Sequence, residues 1–124
     1  MAKWWMALAG LNGFIGVAAG AYGFHGLADK VSDPQLIEAF QLGAQFQLIH
    51  GVALIGVAWM AARGTPLANL AGLALILGII FFAGSLYLLP VTTAKAVVMA
   101  TPLGGFAFMI GWLLILLGGL RDNA

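Results

Sequence analysis

Cysteine is absent from this 124-residue chain, and charge is nearly so. Without cysteine there are no disulfides, no thiolate nucleophile and no Cys-based metal or iron–sulfur site. Five Lys plus Arg stand against four Asp plus Glu, for a net charge of +1. No basic patch exists to hold nucleic acid. All nine charges lie near the ends or in three short gaps. No Asp, Glu, Lys or Arg therefore lies well inside the apolar runs between them, which argues against a carboxylate-based proton pump or a carrier of charged substrates.

Between the gaps the chain is overwhelmingly apolar, with hydrophobic residues at 63%. Four runs result, at about residues 5–27, 40–62, 67–89 and 97–120. Each is long enough for the roughly 20 residues that cross a bilayer core of about 30 Å. In lipid such runs must be helices, because the backbone finds no other partner there. The alternating ten-residue segments of a membrane barrel are missing. The expected fold is an all-α integral membrane protein. It is a single transmembrane domain forming an antiparallel four-transmembrane-helix bundle, with a short polar or interfacial helix between spans 1 and 2.

Several local signals refine this outline. Trp4 and Trp5 sit where an interfacial aromatic belt belongs. Ser32-Asp33-Pro34 reads as a helix start, capped by Ser32 or Asp33, with Pro34 in the first turn. The helix it opens either lies at the interface or leads directly into span 2. Arg63-Gly64-Thr65-Pro66 is a turn, and Pro90 ends span 3. Met1–Lys3 and the apolar stretch behind it have the outline of a signal peptide. The stretch runs on to Leu27, longer than a typical signal core. Lys3, Arg63 and Arg121 fall on the side of the termini, Lys30 and Lys95 on the other. Three against two favours both termini in the cytoplasm.

The chain has eighteen glycines. At about 100° per residue, Gly13, Gly16, Gly20 and Gly23 share one face of span 1. Gly16-x-x-x-Gly20, Ala74-x-x-x-Gly78 and Ala107-x-x-x-Gly111 are small-xxx-small spacings that let helix backbones approach in lipid. They serve packing within one bundle, or contact with a second copy or another membrane protein.

The polar residues inside the spans are the candidates for function. They are His25, Gln45, Gln47, His50, Ser85, Tyr87 and Thr101, besides Asn12, Gln41 and Asn69. At about 1.5 Å of rise per residue, His25, Gln45, Ser85, Tyr87 and Thr101 reach similar depth, in the leaflet away from the termini. Such a layer is either a hydrogen-bonded belt fixing helix register or a small polar pocket. His50 lies deeper, about 15 Å in. A neutral imidazole there needs one acceptor and one donor, and Gln47 or a backbone carbonyl is a suitable partner. A core histidine, a proton-relay group and a haem ligand are the readings of His50. Two histidines some 12 Å apart in depth suit neither one haem iron nor a metal site. No nucleophile–base pair is visible, so no catalytic residue, metal ligand or cofactor is assigned.

Four strings carry a resemblance. They are Gly20-Ala-Tyr-Gly-Phe-His-Gly-Leu27, Ala44-Gln-Phe-Gln-Leu-Ile-His-Gly51, Ala83-Gly-Ser-Leu-Tyr87 and Thr101-Pro-Leu-Gly-Gly105, the last leading to Gly111-Trp112. In this order, one per span, they resemble the domain-of-unknown-function 423 family, the YgdD/YwdK-like small membrane proteins. The chain departs from that pattern at Phe24, Phe46 and Gly51. The resemblance implies a four-span fold in a bacterial cytoplasmic membrane, singles out most of the same polar residues together with Pro102, and supplies no reaction. Three functions stay open. One is a non-enzymatic accessory or assembly component. Another is an oligomeric conduit or carrier for protons or a small neutral solute. The third is an intramembrane lipid- or quinone-binding protein.

Overall fold

A computed structural model describes residues 1–122. Four helices, α1 (Ala2–Phe24), α2 (Pro34–Ala62), α3 (Ala68–Leu88) and α4 (Lys95–Leu120), are long and apolar enough to cross a membrane. No strand occurs among the described residues. The chain is a membrane protein, and the four helices form the expected bundle.

The polar segment after span 1 takes the second of its two anticipated courses. Asp33 caps α2 by accepting the Gln35 backbone N–H at 2.9 Å, with Pro34 in the first turn. The helix then runs unbroken to Ala62. At 29 residues it is about 43 Å long, longer than the hydrocarbon core, so its first turns carry Gln35 and Glu38 out toward water. Only a short 3₁₀ turn, Leu27–Asp29, lies between α1 and that cap. The α2–α3 turn contains two left-handed residues, Gly64 (φ 74°) and Leu67 (φ 69°). It is tied to the end of α4, where Asp122 accepts from Arg63 Nε and Thr65 Oγ1, each at 3.2 Å.

Burial ranks the helices. Half of the most apolar window of α2 and 44% of that of α3 are buried, against 22% for each of α1 and α4. The central pair is therefore α2 and α3. Helix α1 packs chiefly on α2, and α4 chiefly on α3. Leu54, Val57 and Leu75 fill the centre with Ile79 and Phe108. The outer surface stays apolar, as with Phe14, Val52 and Phe106. Lipid tails cover such a surface as well as protein would, so the helices are held by close fit rather than by hydrophobic exclusion.

The close fit runs along two seams. On α1/α2, a Cβ at Gly16 would lie 2.8 Å from Leu48 Cγ, and one at Gly51 would lie 3.3 Å from the Gly13 backbone N. Gly23 meets Phe40, while Gly20 keeps an ordinary 3.9 Å distance to Ala44 Cβ. On α3/α4, Gly78 accommodates the Phe108 ring and Gly111 accommodates Leu75. Ala74 and Ala107 are half-buried. The closest approach of backbone to backbone on this seam is at Gly104, where a Cβ would overlap the backbone of Phe82.

Trp5 departs from its expected place in the aromatic belt. It is only 6% exposed, lies on Gly72 and donates its indole N–H to Asn69 Oδ1 at 2.8 Å. A buried indole needs such an acceptor, and Asn69 supplies it. Trp4 stays exposed beside Lys3.

Candidate functional site

Three separate polar clusters hold the bundle's interior side chains. The first is a ladder across α1, α2 and α3. Asn12 Nδ2 donates to the Leu8 carbonyl at 2.8 Å. Only the amide nitrogen can do that, so Asn12 Oδ1 faces the other way. It accepts from Gln47 Nε2 at 3.0 Å. Gln47 Oε1 is then left to accept from the Tyr87 hydroxyl at 2.7 Å. One contact with a backbone carbonyl thus orients every donor in the ladder. Asn12 is 7% exposed and Gln47 4%.

The second cluster surrounds His50. Trp112 Nε1–H donates to His50 Nε2 at 3.0 Å, so Nε2 carries a lone pair and no proton. Nδ1–H then donates to the Phe46 carbonyl at 2.7 Å. The imidazole is held neutral in a single tautomer, because a proton on Nε2 would face the indole N–H. The ring stacks on Phe108, with centroids 3.6 Å apart and planes 9° from parallel. Both ring nitrogens are engaged, which leaves no lone pair for haem iron. Among the described residues, no group of three or more His, Cys, Asp or Glu could hold a metal ion.

The third cluster joins α3 to α4. Ser85 Oγ donates to the Phe82 carbonyl at 2.8 Å, so the Thr101 hydroxyl must donate to Ser85 Oγ, 2.6 Å away. Ile79–Ala83 is a π-helical stretch, which shifts the phase of α3 just before Ser85. On α4, Pro102 lies inside the helix and removes one backbone donor next to Thr101. Both irregularities sit at the point where Gly104 brings the two backbones together.

The structure brings Gln47, Tyr87, His50, Ser85 and Thr101 into these clusters and leaves two expected members out. His25 and Gln45 are both exposed. Gln45 precedes Gln47 by two residues, about 200° around the helix, so turning Gln47 inward turns Gln45 outward with Leu42 and Ile49. His25 is the residue at which α1 ends. The anticipated layer of equal depth is therefore not one network. Of the two partners expected for His50, Gln47 or a backbone carbonyl, it is the carbonyl that takes the bond. Trp112 and Gly104 are among neither the site nor the packing candidates, and Asn12, a polar candidate of span 1, is assigned to no cluster by depth. Its place one turn before Gly16, on the seam side of α1, is the signal that turns it inward.

Comparison with known proteins adds a family. The model of the family described as Protein of unknown function (DUF423) matches residues 19–105. The chain is 36% identical to the UPF0382 membrane protein YwdK of Bacillus subtilis (strain 168), over 96% of this chain and 98% of that protein. It is 36% identical to a UPF0382 membrane protein of Staphylococcus epidermidis (strain ATCC 12228 / FDA PCI 1200), over 96% and 97%. With the UPF0382 inner membrane protein YgdD of Escherichia coli (strain K12) the identity is 32%, over 96% and 91%. No solved structure matches.

Proposed function

The chain belongs to the DUF423 family of proteins of unknown function, and we propose that it serves as a non-enzymatic accessory or assembly component of a bacterial cytoplasmic membrane, acting through helix packing. The observation that carries this reading is that the inward polar side chains bind one another. Asn12, Gln47 and Tyr87 share one chain of hydrogen bonds, Ser85 and Thr101 another. A reaction would need a nucleophile beside a base, and His50 has both nitrogens engaged. A proton path would need groups that both release and take up protons. Two of the ladder's three side chains are amides, which do neither near neutral pH.

What a partner could use lies outside. A Cβ at Gly10, Gly56, Gly105 or Gly119 would meet nothing within 4 Å. Another helix can approach closely at such positions. The partner is another membrane protein or a second copy. The inner membrane is the location given in the name of the relative YgdD. The lysine and arginine bias supports an orientation with both termini in the cytoplasm.

Two experiments test this reading. In proteoliposomes loaded with a pH-sensitive dye, wild type and His50→Gln should both leak protons no faster than empty vesicles. Proton flux in wild type that His50→Gln abolishes, with the fold intact, would replace this reading with a conduit. In cells, a photo-crosslinking residue at exposed Phe106 should capture a discrete neighbour, and Gly105→Leu should remove that adduct without lowering the melting midpoint. Failure to capture any protein would also overturn it.

A further inference from the structure

Helix α1 follows α2 along the glycine seam but meets α3 at the Trp5 end, where the indole rests on Gly72 and bonds Asn69. Toward the other end the two helices stand apart. The gap is a lateral cleft of about 380 Å³, with walls of Ile15, Ile79 and Ile80 and a floor formed by the ladder of Asn12, Gln47 and Tyr87. Ile80 is 57% exposed, so the cleft opens sideways into lipid.

The floor has hydrogen-bonding capacity left over. Each amide nitrogen carries two hydrogens, and each uses one within the ladder: Asn12 toward Leu8, Gln47 toward Asn12. Two N–H groups are thus unused, and the Tyr87 oxygen can still accept. In hydrocarbon an unmatched N–H is unfavourable, and no water is at hand to match it. No charged side chain lines the cleft, so the complement is neutral. Its size falls at the lower end of small-molecule sites, roughly 300–1,000 Å³.

We propose that this cleft binds a neutral membrane-resident molecule with a carbonyl group on an apolar body, the carbonyl accepting from the Asn12 and Gln47 amides and the body lying between α1 and α3. Two sources share that chemistry: an isoprenoid quinone and the ester of a neutral glycerolipid. The site lies on the α1/α3 side. It is separate from the α4 face probed at Gly105 and Phe106, so either idea can fail without the other.

The test uses purified full-length protein in nanodiscs of ether-linked lipid, which supply no carbonyl. The probes are a ¹³C-carbonyl benzoquinone with one isoprenoid unit and ¹³C-carbonyl dioctanoylglycerol. One of them should bind saturably, once per chain, with its carbonyl stretch shifted to lower frequency; whichever does so identifies the source. Gly84 also lines the cleft, and a Cβ there meets nothing within 4 Å. Gly84→Leu should therefore fill the mouth, keep the wild-type melting midpoint and weaken binding about tenfold or more. Gly105→Leu should bind as wild type does. Gln47→Leu should lose the frequency shift even where some occupancy persists. If Gly84→Leu does not fold, Ile80→Trp, on the exposed wall, takes its place. The proposal is overturned if neither probe saturates, or if the folded occluding variant binds like wild type.

Discussion

Replacing Gly104 by alanine should loosen the α3/α4 pair, while the same change at Gly105 should not. The two glycines are neighbours on α4, so their gain in helix propensity, roughly 0.5–1 kcal/mol each, cancels in the comparison. What differs is the space. A Cβ at Gly105 meets nothing within 4 Å, whereas one at Gly104 lies 2.7 Å from Phe82 Cα and also overlaps its backbone nitrogen. Ordinary carbon contacts begin near 3.5 Å, so the helices must part by at least about 0.8 Å there. The obstacle is backbone, which no rotamer change can clear. Phe82 is held in the π-helical stretch, and its carbonyl accepts from Ser85. Overpacking of this kind costs about 1–3 kcal/mol, and that is the expected difference between the two variants. Reversible unfolding in mixed detergent micelles, followed by circular dichroism, measures it. Equal stability, or a more stable Gly104→Ala, would show that the backbones do not touch at this point and that the packing derived for the seam is wrong.

Other outcomes follow from the same geometry. On the first seam, Gly16→Leu should lower the melting midpoint in detergent, because its side chain would enter the space of Leu48, whereas Gly20→Ala should be tolerated at 3.9 Å from Ala44 Cβ. Trp112→Phe should cost about 1–3 kcal/mol by leaving His50 Nε2 without its donor, and adding His50→Leu should recover part of the loss. A double-mutant cycle with additive effects would count against the His50–Trp112 bond. For topology, single cysteines at exposed Ser32 and Lys3 should label in intact cells at position 32 but not at position 3 with an impermeant thiol reagent. The reverse pattern would invert the orientation.

The site was legible only in part, and the gap has a geometric cause. Residue type and depth identify Gln47, Tyr87, His50, Ser85 and Thr101 as polar groups that lipid would not welcome. Depth alone, however, groups Gln45 with them. It separates residues along the helix axis and says nothing about direction around it. Gln45 and Gln47 are nearly opposite, and with one polar group on each face the sequence does not say which turns inward. Asn69 shows the converse: it is exposed itself, yet it is the acceptor that draws Trp5 out of the interface and into the bundle.

Span number, helical state and membrane residence follow from the sequence alone, because they depend on local quantities. Nine charges confined to the ends and the gaps, with runs of about 20 apolar residues between them, leave the backbone no alternative in lipid. The cap at Asp33, the turn at Gly64 and the shared glycine face of α1 are equally local. Tertiary structure decided which helices are central, which of many glycines carry contact, the π-helical stretch in α3 and the donor order of the ladder. Those depend on the rotation of each helix about its own axis. In a bilayer, apolar surface is nearly indifferent to facing lipid or protein, so rotation is settled by the few places where backbones touch and polar groups meet.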